Sequence, residues 1–158
     1  MGCPFCERYQ ARKSLIYENP FFYAIFDDFP VSPGHALLIP KNHMDSLTSL
    51  NTDEWRFLKF SISDVIRVIE RTDLEETYEK MLKNPLNDKS EEFLEEILKN
   101  PYLSKKTEGY NIGINEGEAA GKTIEHLHAH IIPRFLGDVK DPVGGVRNII
   151  PGKGNYKK

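Results

Sequence analysis

Three histidines stand two apart in the run His126-Leu127-His128-Ala129-His130-Ile131-Ile132, and no other segment concentrates so many reactive side chains. The chain holds five histidines in all, so more than half of them lie here. Strict alternation reads as a half-buried β-strand, whose side chains point to opposite faces in turn. Leu127, Ala129 and Ile131 would face a core, and the three imidazoles would line the other face. Such a row on a stiff element suits a metal, phosphate oxygens or nucleophilic attack. A neutral imidazole is a good nucleophile near neutral pH, because its unperturbed pKa of about 6.5 lies close by. Its second nitrogen must then hold the proton, which a carbonyl or carboxylate can fix. His128, in the middle, is the one best placed to be flanked and oriented.

Cys3 and Cys6, spaced Cys-Pro-Phe-Cys, are the two cysteines. A redox pair of this spacing usually lies between a strand and the helix of a βαβ unit, and position 3 leaves no room for that strand. Zinc suits the spacing better, but a structural zinc takes about four ligands, so two histidines must join the pair. Two free or redox-active thiols are the alternative.

These groups need a scaffold. A chain of 158 residues, with 39% hydrophobic and 28% charged, suffices for one sizeable core. No apolar run approaches the roughly 20 residues that span a bilayer, so no membrane partner is expected. The N-terminus lacks an apolar signal core, which makes the cytoplasm the expected location. A net charge of −3 offers no general attraction to a nucleic acid polymer, so any phosphate must be held by a local site.

Residues 14–17 and 21–26 read as strands around the turn Glu18-Asn19-Pro20, and residues 36–39 as an apolar strand stopped by Pro40. Asn51 or Thr52 caps a helix, with Trp55, Leu58, Ile62, Val65, Ile66 and Ile69 as its core stripe. Residues 110–115 and 126–132 complete the strands. Strands in antiparallel-looking succession with one long helix predict an α+β fold. Within one domain over 1–158, residues 72–108 stand apart as a helical insertion and 138–158 as a tail. Two segments there begin acidic and end in Lys83-Asn84-Pro85 and Lys99-Asn100-Pro101, which predicts two short helices. Residues 75–99 carry eight acidic and four basic side chains, which fits a solvated insertion; a partner surface or a flap over the substrate is the alternative.

The triple His-x-His motif followed by two apolar residues is similar to the signature of the histidine triad (HIT) superfamily of nucleotide hydrolases and transferases. The block from Ser32 to His43 resembles the family's earlier strand, Asn115-Glu116-Gly117 its Asn-bearing turn, and Ala120-Gly121-Lys122-Thr123 the Gly-Gln-Ser/Thr segment before the triad. The resemblance covers most of residues 1–70 and 109–137, and residues 72–108 match nothing expected in the family. It implies an antiparallel five-stranded sheet, commonly paired into a homodimer. It implies that His128 attacks the α-phosphorus of a nucleotide and forms a nucleotidyl-histidine that water resolves. His130, Asn115 and Thr123 would then contact phosphate or leaving group, His35 would support the phosphate pocket, and Asp27 would take the ribose, with Asp28 as a competitor. Gly121 and Gly117 would let backbone amides approach the anion. Phe26, Phe22, Ile25 and Leu37 are candidates for the nucleobase slot.

Some members, and the related galactose-1-phosphate uridylyltransferases, use a Cys-x-x-Cys pair with two histidines. Carried over, that gives a closed structural zinc site of Cys3, Cys6, His43 and His126. Lys122 stands where the family commonly has Gln, and its charge would favour polyanionic leaving groups. Arg134 would reach a distal phosphate or sit on the surface, and the stretch 144–151 would lie near the cleft.

The function expected is hydrolysis of a nucleotide conjugate, either a dinucleoside polyphosphate or a nucleoside phosphoramidate. A phosphorylase or nucleotidyltransferase of the same superfamily differs only in the acceptor. A binding module that holds nucleotides without turnover is the reading from a different class. A catalytic metal on all three triad histidines would leave the cysteines and His43 without a fourth ligand, and it ranks last.

Overall fold

The computed structural model describes residues 2–157. The chain runs α1 (Pro4–Gln10), β1 (Tyr17–Glu18), β2 (Phe22–Phe26), β3 (Ala36–Pro40), α2 (Thr52–Arg71), α3 (Leu74–Leu82), α4 (Asp88–Leu98), β4 (Gly109–Ile114) and β5 (Ala129–Arg134). The strands form one five-stranded antiparallel sheet in the order β1-β2-β3-β5-β4. This is the α+β architecture that the strand and helix patterns predict.

Every residue of β2 and β3 is buried, because both faces of the sheet are covered. Alternation divides them. Phe22, Ala24, Phe26, Ala36 and Leu38 join Ala129 and Ile131 against Leu58, Val65 and Ile69 of α2. Tyr23, Ile25, Leu37 and Ile39 face the other way and meet Phe5 of α1. The short N-terminal helix therefore caps the face opposite the long one. Tyr23 holds it there by donating its phenol proton to the Phe5 carbonyl at 2.8 Å.

Helix α2 begins where expected. The Asn51 side chain accepts from the Asp53 and Glu54 amides at 3.0 Å each, and the Glu54 carboxylate takes the Asn51 N–H at 2.9 Å. Glu54, Leu58, Ser61, Val65 and Ile69 form the buried stripe. Trp55, expected in that stripe, is 54% exposed, since it sits one position off the line that starts at Glu54.

Two strands differ from expectation. Arg12 and Ser14 have positive φ, so the chain is still turning there, and β1 pairs only from Tyr17. The triad strand begins at Ala129 rather than His126. Its partner β3 ends in Pro40, which has no N–H to continue the ladder. The chain before Ala129 bonds elsewhere: the Leu127 amide donates to the Met44 carbonyl at 2.6 Å. Leu127 is nevertheless buried, and β5 alternates buried and half-buried as the pattern demands.

The two acidic helices form, capped by Asp73 and Asn87. They do more than float in solvent. Tyr78, Leu94 and Ile97 make a core of their own, and Phe93 meets Phe29 edge-on at 5.8 Å. Their acidic faces are exposed, and their inner faces anchor to the loop after β2. Among the described residues no helix is long and apolar enough to cross a membrane.

Replacing Asn51 by Ala should remove about 1 kcal/mol of stability through loss of the capping box. Urea denaturation checks this as a lower midpoint with an unchanged slope; an unchanged midpoint would refute the cap's contribution.

Candidate active site

His128 and His130 line a cavity of about 460 Å³ on the α1 side of the sheet. Phe5, Ile25, Phe29, Leu37 and Ile124 give it apolar walls, while Thr123, Asp27, Asp28 and Arg8 add polar groups. The hydrogen bonds assign a tautomer to each ring. His128 Nδ1 lies 2.8 Å from the carbonyl oxygen of His126. A carbonyl only accepts, so Nδ1 carries the proton and Nε2 keeps its lone pair. Phe5 packs against the same ring at 5.1 Å, edge to face.

A second chain of bonds sets His130. The Val31 amide donates to His35 Nδ1 at 3.4 Å, so His35 carries its proton on Nε2. That nitrogen donates to His130 Nδ1 at 3.0 Å, which leaves Nε2 as the proton-bearing nitrogen of His130. His128 thus presents an acceptor and His130 a donor, from neighbouring positions of one segment. Burial pushes the His35 imidazole down to about 4; Asp27, with Oδ2 3.5 Å away, opposes the shift and His130 adds to it. Burial also lowers His130, with His128 adding and Asp27 opposing. Asp27, His35 and His130 lie within metal-binding distance of one another. A metal would need the His35 Nε2 lone pair, and the Val31 amide on Nδ1 denies it.

His126 does not share the cavity. Its ring is fully buried and turned toward the cysteines. Nδ1 lies 3.3 Å from Cys3 Sγ and 3.6 Å from Cys6 Sγ, and His43 Nδ1 lies 3.5 Å from Cys6 Sγ. The His126 Nε2–H donates to the Pro40 carbonyl at 2.9 Å, which frees Nδ1 as a ligand atom. A tetrahedral zinc with ordinary Zn–S and Zn–N bonds places sulfur and nitrogen about 3.6 Å apart. The donor set and its spacing therefore fit zinc. The three rings do not share one face: His126 joins Cys3, Cys6 and His43, the set that the resemblance implies, and the other two line the cavity.

The other expected residues divide as well. Thr123, Asp27, Ile25 and Leu37 line the cavity. Asp27 Oδ1 accepts the Phe29 amide at 2.9 Å. Phe26 and Phe22 belong to the core under α2, because strand alternation turns them from the cavity. Lys122 also departs from expectation. Its buried ammonium needs an acceptor and donates to the Asp45 carbonyl, outside the cavity lining. Asn115, just past β4, and Gly121, left-handed at φ +87°, also stand outside that lining. Arg134 is held by Asp138 and Asn111, in a separate cavity that the tail helps to wall. The sequence reading missed the ion pair of Arg8 with Asp28 at the cavity's end, and it missed Phe5 as the wall behind His128. Phe5 lies inside the Cys-x-x-Cys spacing, and that position was the available signal.

The molecule is thus an α+β protein whose antiparallel sheet carries a two-histidine cavity beside a Cys₂His₂ cluster. Residues 8–137 match the model of the HIT domain, and the chain belongs to the HIT family. It is 26% identical to an adenosine 5'-monophosphoramidase of Candida albicans, over 84% of this chain and 70% of that one. It is also 26% identical to an AP-4-A phosphorylase of Mycobacterium tuberculosis, over 78% of this chain but only 48% of that relative. The crystal structure of a Zn-bound histidine triad family protein from Mycobacterium smegmatis matches with a TM-score of 0.55 at 28% identity, covering 87% of this chain and 78% of that one.

Acid should weaken the fold through His35. A folded-state pKa of about 4, against 6.5 ordinarily, means that the unfolded chain binds more protons across this window. The stability present above pH 6.5 is therefore lost as pH falls toward 4. Urea denaturation of wild type and His35→Gln between these pH values should show a steeper loss in the wild type. Equal slopes would contradict the shift.

Proposed function

We propose that the protein is a nucleotide hydrolase that cleaves at the α-phosphate of a nucleotide conjugate through a covalent bond to His128. The observation that carries this reading is the hydrogen bond from His128 Nδ1–H to the His126 carbonyl. It aims a lone pair from a ring that is 6% exposed into a cavity with apolar walls. The relatives support the substrate class, since one is a monophosphoramidase and another an AP-4-A phosphorylase.

Phosphoryl transfer depends mainly on positioning and charge stabilisation. The apolar walls of Ile25, Leu37, Phe5 and Phe29 accept the nucleoside, and Asp27 accepts its ribose hydroxyls. His130 donates Nε2–H to a non-bridging oxygen of the α-phosphate. Thr123, exposed beside His128, donates to the leaving group. Asn115 and Gly121 complete the anion site if the loop that bears them closes on it. The Nε2–P bond forms as the bond from phosphorus to the leaving group breaks, and the leaving group departs with the electron pair and takes a proton from solvent. Water then attacks phosphorus as the Nε2–P bond breaks, its proton passes to solvent, the nucleoside monophosphate leaves, and His128 regains its lone pair.

Cys3, Cys6, His43 and His126 would hold a zinc ion in this reading, with all four positions filled by protein. Its duty would be structural, tying α1 to the backbone of His126. A phosphorylase is the second reading, favoured by the name of the Mycobacterium tuberculosis relative. It differs only in phosphate replacing water at the second step.

The test is rapid quenching with a labelled dinucleoside polyphosphate and a nucleoside phosphoramidate, with and without inorganic phosphate. An acid-labile nucleotidyl adduct on His128 and release of nucleoside monophosphate are expected. Nucleoside diphosphate formed only with phosphate present would move the assignment to a phosphorylase. His128→Ala should lose at least about a thousandfold in kcat, and His130→Ala roughly a hundredfold. Turnover retained in His128→Ala would overturn the mechanism. Metal analysis should find zinc kept in His128→Ala and lost in His126→Ala.

A further inference from the structure

Between β2 and β3 the chain makes a tight loop that carries Asp27 at its start and His35 at its end. Three tethers hold it. The Asp27 amide donates to the His35 carbonyl at 3.0 Å, and Ser32 Oγ donates to the Pro133 carbonyl at 2.6 Å. The third tether comes from outside the sheet. The Gly34 amide, buried and next to His35, donates to the phenol oxygen of Tyr78 at 2.8 Å. Tyr78 is fully buried on α3, in the acidic stretch that the sequence presents as a solvated insertion.

Gly34 is packed too closely for any side chain. Its φ is +86°, and a Cβ there would stand 2.7 Å from Ile69 Cγ2 and 3.2 Å from Pro133. The loop is therefore pressed onto α2 and β5, with its amide aimed at α3. Packing also aims the phenol. Tyr78 shares a core with Leu94 and Ile97 of α4, and its ring stands 6.1 Å from that of Phe26. The path from α3 to the cavity is short and continuous: Tyr78 oxygen, Gly34 amide, His35 ring, His130 ring.

We infer that Tyr78 is a positioning residue, and that its phenol oxygen holds the His35–His130 hydrogen bond in the register that keeps the His130 proton on Nε2. Removal of the phenol oxygen leaves a buried Gly34 amide without an acceptor, so the peptide rotates toward one. Rotation displaces His35 from Val31 and from His130. The two rings then no longer share one assigned tautomer, and the donor that His130 presents to the cavity is lost for part of the population. The kinetic arm of this inference rests on the hydrolase reading; the spectroscopic arm does not.

The test compares wild type, Tyr78→Phe and Leu94→Val. Tyr78→Phe keeps the ring and removes one oxygen. Leu94→Val weakens the α3–α4 core and leaves the phenol in place. Long-range ¹H–¹⁵N spectra of the histidine rings should show one tautomer at His35 and His130 in wild type and in Leu94→Val, and a mixture at both in Tyr78→Phe. With a nucleoside phosphoramidate, Tyr78→Phe should lower kcat about fivefold with KM unchanged. Unchanged tautomers in Tyr78→Phe would overturn the inference, as would the same mixture in Leu94→Val. If the wild type turns over no nucleotide conjugate, the hydrolase reading fails, and the spectra alone still decide the role of Tyr78.

Discussion

The His126 carbonyl accepts the proton-bearing nitrogen of His128 at 2.8 Å, and the arrangement of the cavity follows from that bond. The other tautomer would put an N–H where the lone pair points. The bond depends on where the His126 backbone sits, and His126 is fixed from its side chain. Its Nε2–H is held by Pro40 and its Nδ1 faces two thiols. One residue therefore serves the Cys₂His₂ cluster with its ring and the cavity with its carbonyl. His126 lies ahead of β5, which starts at Ala129, so its carbonyl takes no part in the ladder with β3.

Both layers against the sheet serve the same cavity. Helix α2 packs one face and sets the planes of β2, β3 and β5. Helix α1 packs the other and supplies Phe5, whose ring stands between the histidines and the Tyr23–Ile25 row. The α3–α4 pair closes the loop end, through Phe93 against Phe29 and Tyr78 against Gly34. Burial on three sides lowers the pKa of His35 and His130, so both remain neutral at neutral pH. Neutral rings permit the assigned sequence of donors and acceptors; a proton on either would break it.

Much of this was legible in the residues. Alternation in the triad segment separates Leu127, Ala129 and Ile131 from the histidines, and the structure keeps that division. The Asn51 cap and the helical spacing from Leu58 to Ile69 locate α2. Cys3 and Cys6 call for two histidine partners, and His43 and His126 stand beside them. What escaped depends on contacts distant in sequence. The turn of His126 away from its neighbours depends on Pro40, 86 residues earlier. Lys122 donates to the Asp45 carbonyl, 77 residues earlier, and local sequence does not show that partner. Of the four candidates for the nucleobase slot, Ile25 and Leu37 line the cavity while Phe22 and Phe26 face α2, a division that the parity of β2 and β3 sets. Tyr78 gave no signal, since an aromatic residue within an acidic helix reads as packing.

The ring nitrogen of His128 that carries the proton tests the account most directly. Selective ¹⁵N labelling of histidine and a long-range ¹H–¹⁵N spectrum at neutral pH report it without substrate. A proton on Nδ1, with Nε2 shifted as an unprotonated nitrogen, is the result the structure requires. A proton on Nε2 would leave no lone pair facing the cavity and contradict the account.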